Sequence, residues 1–186
     1  MPDPSRRPTR ADLAAAAALT IPDVTGPRLR VLFCGINPGL YSAATGHHFA
    51  RPGNRFWPAL HQSGFTSRQL RPDEQDLLPA LGLGITNIVP RASARADELT
   101  PAELRSGAQG LAALTGLVRP QWLAILGITA YRTAFGQPRA VLGPQPELAG
   151  GARLWILPNP SGLNAHWSAA GLAGAFAELR AAAAEQ

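Results

Sequence analysis

Apolar residues in this chain gather in short, nearly continuous runs rather than in polar alternation. Leu29 to Cys34 and Trp122 to Gly127 are the clearest, with Ile85 to Val89 and Arg153 to Leu157 alongside. A run that is apolar on both sides of the pleat predicts a strand buried on both faces, as parallel sheets require. Helical signals alternate with these runs. Asp12 to Leu19 is alanine-rich and reads as a short helix before the Ile21-Pro22 break. Asn54 suits the N-cap of a helix from Arg55 to Gln62, and a further helical stretch lies within Asp73 to Leu81. Thr100-Pro101-Ala102-Glu103 has the form of a capping box with proline in the first turn, opening a helix to about Val118. Thr129 to Phe135 and residues 167–184 complete the helices, while 35–53 and 136–151 read as loops. The alternation predicts an α/β fold, a mostly parallel sheet of about four strands covered on both faces.

Composition narrows the picture. With 186 residues, 46% of them hydrophobic, the chain is expected to form one domain over 12–186, preceded by a disordered arm over 1–11. No apolar run approaches a membrane span, and the Met1–Arg10 segment lacks the apolar centre of a signal peptide, so cytoplasmic residence is expected. The net charge is +5 and all 17 basic residues are arginine. Guanidinium forks suit phosphates, which puts nucleic acid first among partners, although the abundant Ala, Gly and Pro also fit a compositional bias. The single cysteine, Cys34, lies inside an apolar strand and excludes a disulfide framework. Four scattered histidines show no zinc spacing, so no metal and no cofactor is expected, and the chain is expected to act as a monomer.

Two strands end in similar loops. Gly35-Ile36-Asn37-Pro38-Gly39 follows the first, and Pro158-Asn159-Pro160-Ser161-Gly162-Leu163-Asn164 follows the last. One such loop is an ordinary turn. Two at the carboxyl ends of strands predict a shared cleft, because open α/β sheets bind ligands there. A phosphate cradle fits poorly: neither nucleotide-binding glycine pattern is present, and Pro38 removes an N–H donor.

Taken together, Gly35–Gly39, Thr45-Gly46-His47-His48-Phe49, Asn54-Arg55-Phe56-Trp57 and Asn159-Pro160-Ser161-Gly162-Leu163 resemble the mismatch-specific uracil-DNA glycosylase and thymine-DNA glycosylase family over about residues 29–180. The resemblance implies a three-layer α/β/α domain. Its partner would be double-stranded DNA, from which uracil or related pyrimidines mispaired with guanine are removed without a metal. By that resemblance Asn37 holds the attacking water, Ile36 contacts the base through its backbone, and Phe49 stacks on the flipped pyrimidine. Asn87 hydrogen-bonds the base and His48 follows the thymine-type branch, whereas Ser42 matches the uracil-type branch, where it crowds the thymine methyl group. Leu163 matches the wedge that fills the gap left by the extruded nucleotide, with Ser161 and Gly162 supplying backbone contacts. Ala165 stands where the family usually has arginine, leaving Asn164 and His166 as substitutes for reading the opposite base.

An asparagine cannot take a proton at neutral pH, so Asn37 orients water without serving as its base. Asp97 and His48 are therefore candidates for assisting it, Asp97 having the simpler reading of a solvated charge before a helix cap. A catalytically silent damage-binding protein would need the same pocket and wedge. Release of free base separates the two.

Overall fold

The computed structural model describes residues 6–185. A five-stranded sheet has the order β2-β1-β3-β5-β4, from β1 (Val31–Gly35), β2 (Leu83–Asn87), β3 (Trp122–Leu126), β4 (Gly143–Ala149) and β5 (Ala152–Leu157). Four strands are parallel, with Val31 beside both Leu83 and Trp122, and Trp122 beside Arg153. β4 runs antiparallel to β5 at the edge. Helices cover both faces: α3 (Phe56–Gln62) and α6 (Ala169–Ala184) on one, α4 (Pro101–Val118) and α5 (Ile128–Ala134) on the other.

The unbroken apolar runs follow from this layering. Val31 and Phe33 enter the core shared with Phe56, Leu60 and Phe176, while Leu32 and Cys34 of the same strand enter the core shared with Leu104, Leu111 and Tyr131. Successive side chains of one strand thus meet two different hydrophobic layers, and no polar face survives. Phe33 packs edge-on against Phe56 and stacks on Phe176, with centroids 5.4 and 5.8 Å away. α4 opens with the expected capping box, Thr100 Oγ1 accepting from Glu103 N and Glu103 returning to Thr100 N.

Several expectations need correcting. The sheet has five strands, because the segment read as a loop over 136–151 contains β4. Its Pro144 and Pro146 fit only an edge, where a missing N–H breaks no ladder, and the pairing shifts register between Pro144 and Leu148. The loop over 35–53 contains α2 (Leu40–Thr45), closed by Gly46 in the left-handed conformation. The stretch within Asp73 to Leu81 forms two tight 3₁₀ turns, Pro72–Leu77 and Pro79–Leu81, since Pro79 cannot donate to a continuous α-helix. Residues 1–5 of the expected arm lie outside the described residues. Of the rest, Arg10 and Ala11 already belong to α1 (Arg10–Ala15), where Thr9 caps Asp12 N. Among the described residues no helix is long and apolar enough to cross a membrane.

The strand order places a change of crossover direction at β1. The chain leaves β1 for β2 on one side, then returns past β1 to β3 on the other. Such a point opens a crevice at the carboxyl ends of the strands.

Candidate active site

A cleft of about 370 Å³ occupies that crevice, and both Asn-Pro loops line it. The first is fastened to the sheet beyond the end of β1: the carbonyls of Gly35 and Ile36 accept from Ile88 N and Val89 N, each at 2.9 Å. Gly35 forms the floor. A Cβ there would lie 2.6 Å from Asn87 Oδ1 and 3.3 Å from the Phe49 ring, so only glycine lets both approach.

Half-buried Asn37 is held through its amide nitrogen. Nδ2 donates to the Arg91 carbonyl at 3.0 Å and to Ser93 Oγ at 2.7 Å. A carbonyl can only accept, so this pairing decides which end of the amide is which. Ser93 Oγ donates in turn to the Arg95 carbonyl at 2.7 Å. Oδ1 of Asn37 has no hydrogen-bond donor among the described residues and remains a fixed acceptor in the cleft. The segment carrying these acceptors is anchored in turn by Arg91, whose guanidinium pairs with Glu103 and, with the Thr100 N–H, holds that carboxyl down at about 2.

His48 is buried, with Nε2 2.9 Å from the Pro22 carbonyl and Nδ1 3.4 Å from Asn87 Nδ2. The Pro22 oxygen requires Nε2 to carry the proton, leaving Nδ1 to accept from Asn87. Burial holds the imidazole below its ordinary value of 6.5, against the opposing pull of the Pro22 bond and the Asp23 charge. His48 is thus neutral and fully engaged, and it orients Asn87 at the end of β2. Phe49 follows with φ 53°, a conformation uncommon for a residue with a side chain. Its neighbours impose this: His48 N donates to Gln75 Oε1 at 2.8 Å, Trp57 Nε1 donates to the His48 carbonyl at 3.1 Å, and Ala50 N donates to Ser42 Oγ at 3.0 Å. One face of the Phe49 ring stacks on Phe56 at 4.2 Å. Ser42, on α2, lines the cleft with its hydroxyl committed to Ala50.

The second loop turns on Asn159, whose Oδ1 accepts from Ser161 N at 2.9 Å. Leu163 projects from its tip, 72% exposed. Gly162 lies against the first loop's far end, where a Cβ would meet the Gly53 carbonyl at 2.4 Å. The family model for the uracil DNA glycosylase superfamily matches residues 22–182. The chain belongs to that superfamily. Its fold is similar to a solution NMR structure from Methanosarcina acetivorans, described as a candidate uracil DNA glycosylase, with a TM-score of 0.60 at 17% identity over 88% of this chain and 98% of that one. At that identity the likeness speaks for the fold.

Within this glycosylase-superfamily cleft the structure brings together Ile36, Asn37, Ser42, His48, Phe49 and Asn87, with Ser161 and Leu163 opposite. Three expectations change. Asp97 also lines the cleft, but it is 71% exposed and paired with Arg95 at 2.9 Å, which matches its simpler reading as a solvated charge. His48 has no free ring nitrogen. Asn164 is occupied in building its loop, donating from Nδ2 to the Asn159 carbonyl at 3.0 Å and accepting from His166 N at 3.3 Å, so it is not free to replace an arginine. Sequence reading missed Ser93, Gln75 and Arg55 as supporting residues. Only Arg55 had a visible signal, its place in the Asn54–Trp57 motif.

Proposed function

We propose that this chain is a monofunctional DNA glycosylase of the mismatch-specific branch, hydrolysing uracil from guanine mispairs in double-stranded DNA and leaving an abasic site. The observation that carries the reading is a fixed acceptor, Asn37 Oδ1, in the same cleft whose opposite wall bears the exposed Leu163. Residues 12–186 act as one catalytic domain, as a monomer. Leu163 enters the duplex in place of the extruded nucleotide, and the uracil ring lies on the free face of Phe49. Asn87, turned by His48, offers its second amide proton and Oδ1 to the pyrimidine edge, with the backbone of Ile36 beside it.

Asn37 accepts a hydrogen bond from a water, aiming its oxygen at C1′ of the sugar. The C1′–N1 bond breaks through an oxocarbenium-like state, and its electron pair leaves with the base. Asn87 stabilises the resulting uracil anion, and the water's proton passes to solvent once the new C1′–O bond forms. Without a general base the reaction is slow, since such a base contributes typically ~10²–10⁴-fold. Ser42, fixed by Ala50, narrows the pocket against a thymine methyl group.

The test is a single-turnover panel at stated salt: uracil opposite guanine, uracil opposite adenine, thymine opposite guanine, and single-stranded uracil. Free uracil should be released, fastest opposite guanine. Duplex binding without release would make the chain a damage-binding protein instead, and thymine release as fast as uracil release would remove the role given to Ser42.

A further inference from the structure

Arg55, the residue just before α3, lies against the second loop. Its Nη1 donates to the Trp167 carbonyl, and its Nη2 donates to the carbonyls of Ser161 at 3.0 Å and Asn164 at 2.9 Å. Its backbone N–H donates to the Pro160 carbonyl at 2.9 Å. One residue therefore satisfies four carbonyls along 160–167, the stretch that carries Leu163. Irregular backbone of this kind turns its carbonyls in different directions, and partly buried carbonyls need donors. A rigid planar fork reaches several at once, where an ammonium would supply a single point of donation. No carboxylate lies within ion-pair distance of Arg55 among the described residues. The guanidinium is thus committed to the loop's backbone, even though its buried Nε finds no acceptor. A second contact seats the same loop: Gly162 rests on the Gly53 carbonyl too closely for any Cβ.

We propose that Arg55 is the positioning residue of the wedge loop, holding Leu163 in its inserting geometry before DNA arrives. This rests on the glycosylase reading. A loop ordered in the free protein spares binding the cost of ordering it, which would otherwise be drawn from the binding energy that offsets the unstacking of a base step. Arg55 acts through Leu163 and touches neither water nor base.

The experiment is a double-mutant cycle on uracil opposite guanine, with amide hydrogen exchange of residues 161–166 in the free protein as a readout independent of activity. Arg55→Lys should slow single-turnover release about tenfold and speed exchange across the loop. In the Leu163→Ala background the same substitution should add less than about twofold, because residues acting as one unit are not additive. Gly162→Ala, which unseats the loop while keeping Arg55, should reproduce both effects. It also carries the test should the Arg55 variants fold poorly, as judged by thermal melts. Losses that multiply in the double variant, or loop exchange unchanged by Arg55→Lys, would overturn the inference. Absence of uracil release by the wild-type protein would defeat the glycosylase reading instead, while exchange would still report whether Arg55 orders the loop.

Discussion

Two Asn-Pro pairs stand at the ends of two parallel strands, and their asparagines do opposite things. Asn37 spends its amide nitrogen on a distant segment, the Arg91 carbonyl and Ser93 hydroxyl, and keeps its oxygen for the cleft. Asn159 spends its oxygen on its own loop, at Ser161 N, and so builds the turn from which Leu163 projects. The dipeptide does not determine the role; what lies opposite each amide does. A segment offering acceptors turns the asparagine oxygen outward. A neighbouring N–H two residues on closes the side chain into the turn.

That contrast can be broken experimentally. The largest effect is expected at Asn37→Ala, which should slow single-turnover uracil release by on the order of 10²–10³-fold, the loss seen when one preorganised hydrogen-bonding group is removed. Duplex affinity should stay within a few-fold. His48, which orients Asn87 beside the first loop, gives a pH prediction. Its native value lies below 6.5 because of burial, so the unfolded chain takes up the proton first. Stability should hold above about pH 6.5 and fall as pH drops below it, by up to about 1.4 kcal/mol per unit, until the depressed native value is passed. Urea melts of wild type and His48→Gln between pH 8 and 5 should show a smaller loss in the variant; parallel curves would mean that His48 is not held neutral.

Ser93→Ala removes one of the two acceptors that orient Asn37, and a single hydrogen bond is worth about 1 kcal/mol, roughly fivefold in rate. Release should slow by that amount, with a melting temperature lower by roughly 2–4 °C, since the buried Ser93 hydroxyl also donates to the Arg95 carbonyl. Asp97→Asn should do least, less than about twofold in base release, because an exposed ion pair contributes little and Asp97 is assigned no proton transfer. A large loss there would return Asp97 to the role of base.

Much of this was legible in the chain. Strands buried on both faces leave runs such as Val31–Cys34 and Trp122–Leu126, and a capping box marks the start of α4. β4 was hidden because prolines at a sheet edge look like a loop, and α2 because six residues between glycines carry little periodicity. The Asn-Pro loops announced a cleft. Their division of labour did not show, since Ser93, Gln75 and Arg55 act through hydrogen bonds to residues distant in the chain, which no local spacing reveals. Asp97 and His48 were plausible proton acceptors by residue type alone. Exposure and the Arg95 pair weigh against the one, and two occupied ring nitrogens against the other.

The opposite roles of the two asparagines can be separated by measuring Asn37→Ala and Asn159→Ala side by side on one uracil-guanine duplex, recording single-turnover release together with thermal stability. Asn37→Ala should lose release by at least about a hundredfold, together with ~1–2 kcal/mol of stability for the two hydrogen bonds its amide nitrogen makes. Asn159→Ala should lose only a few-fold in release, and about 1 kcal/mol in stability or roughly 2–4 °C in melting temperature. Equal losses of release in the two variants, or near-wild-type release by Asn37→Ala, would contradict those roles.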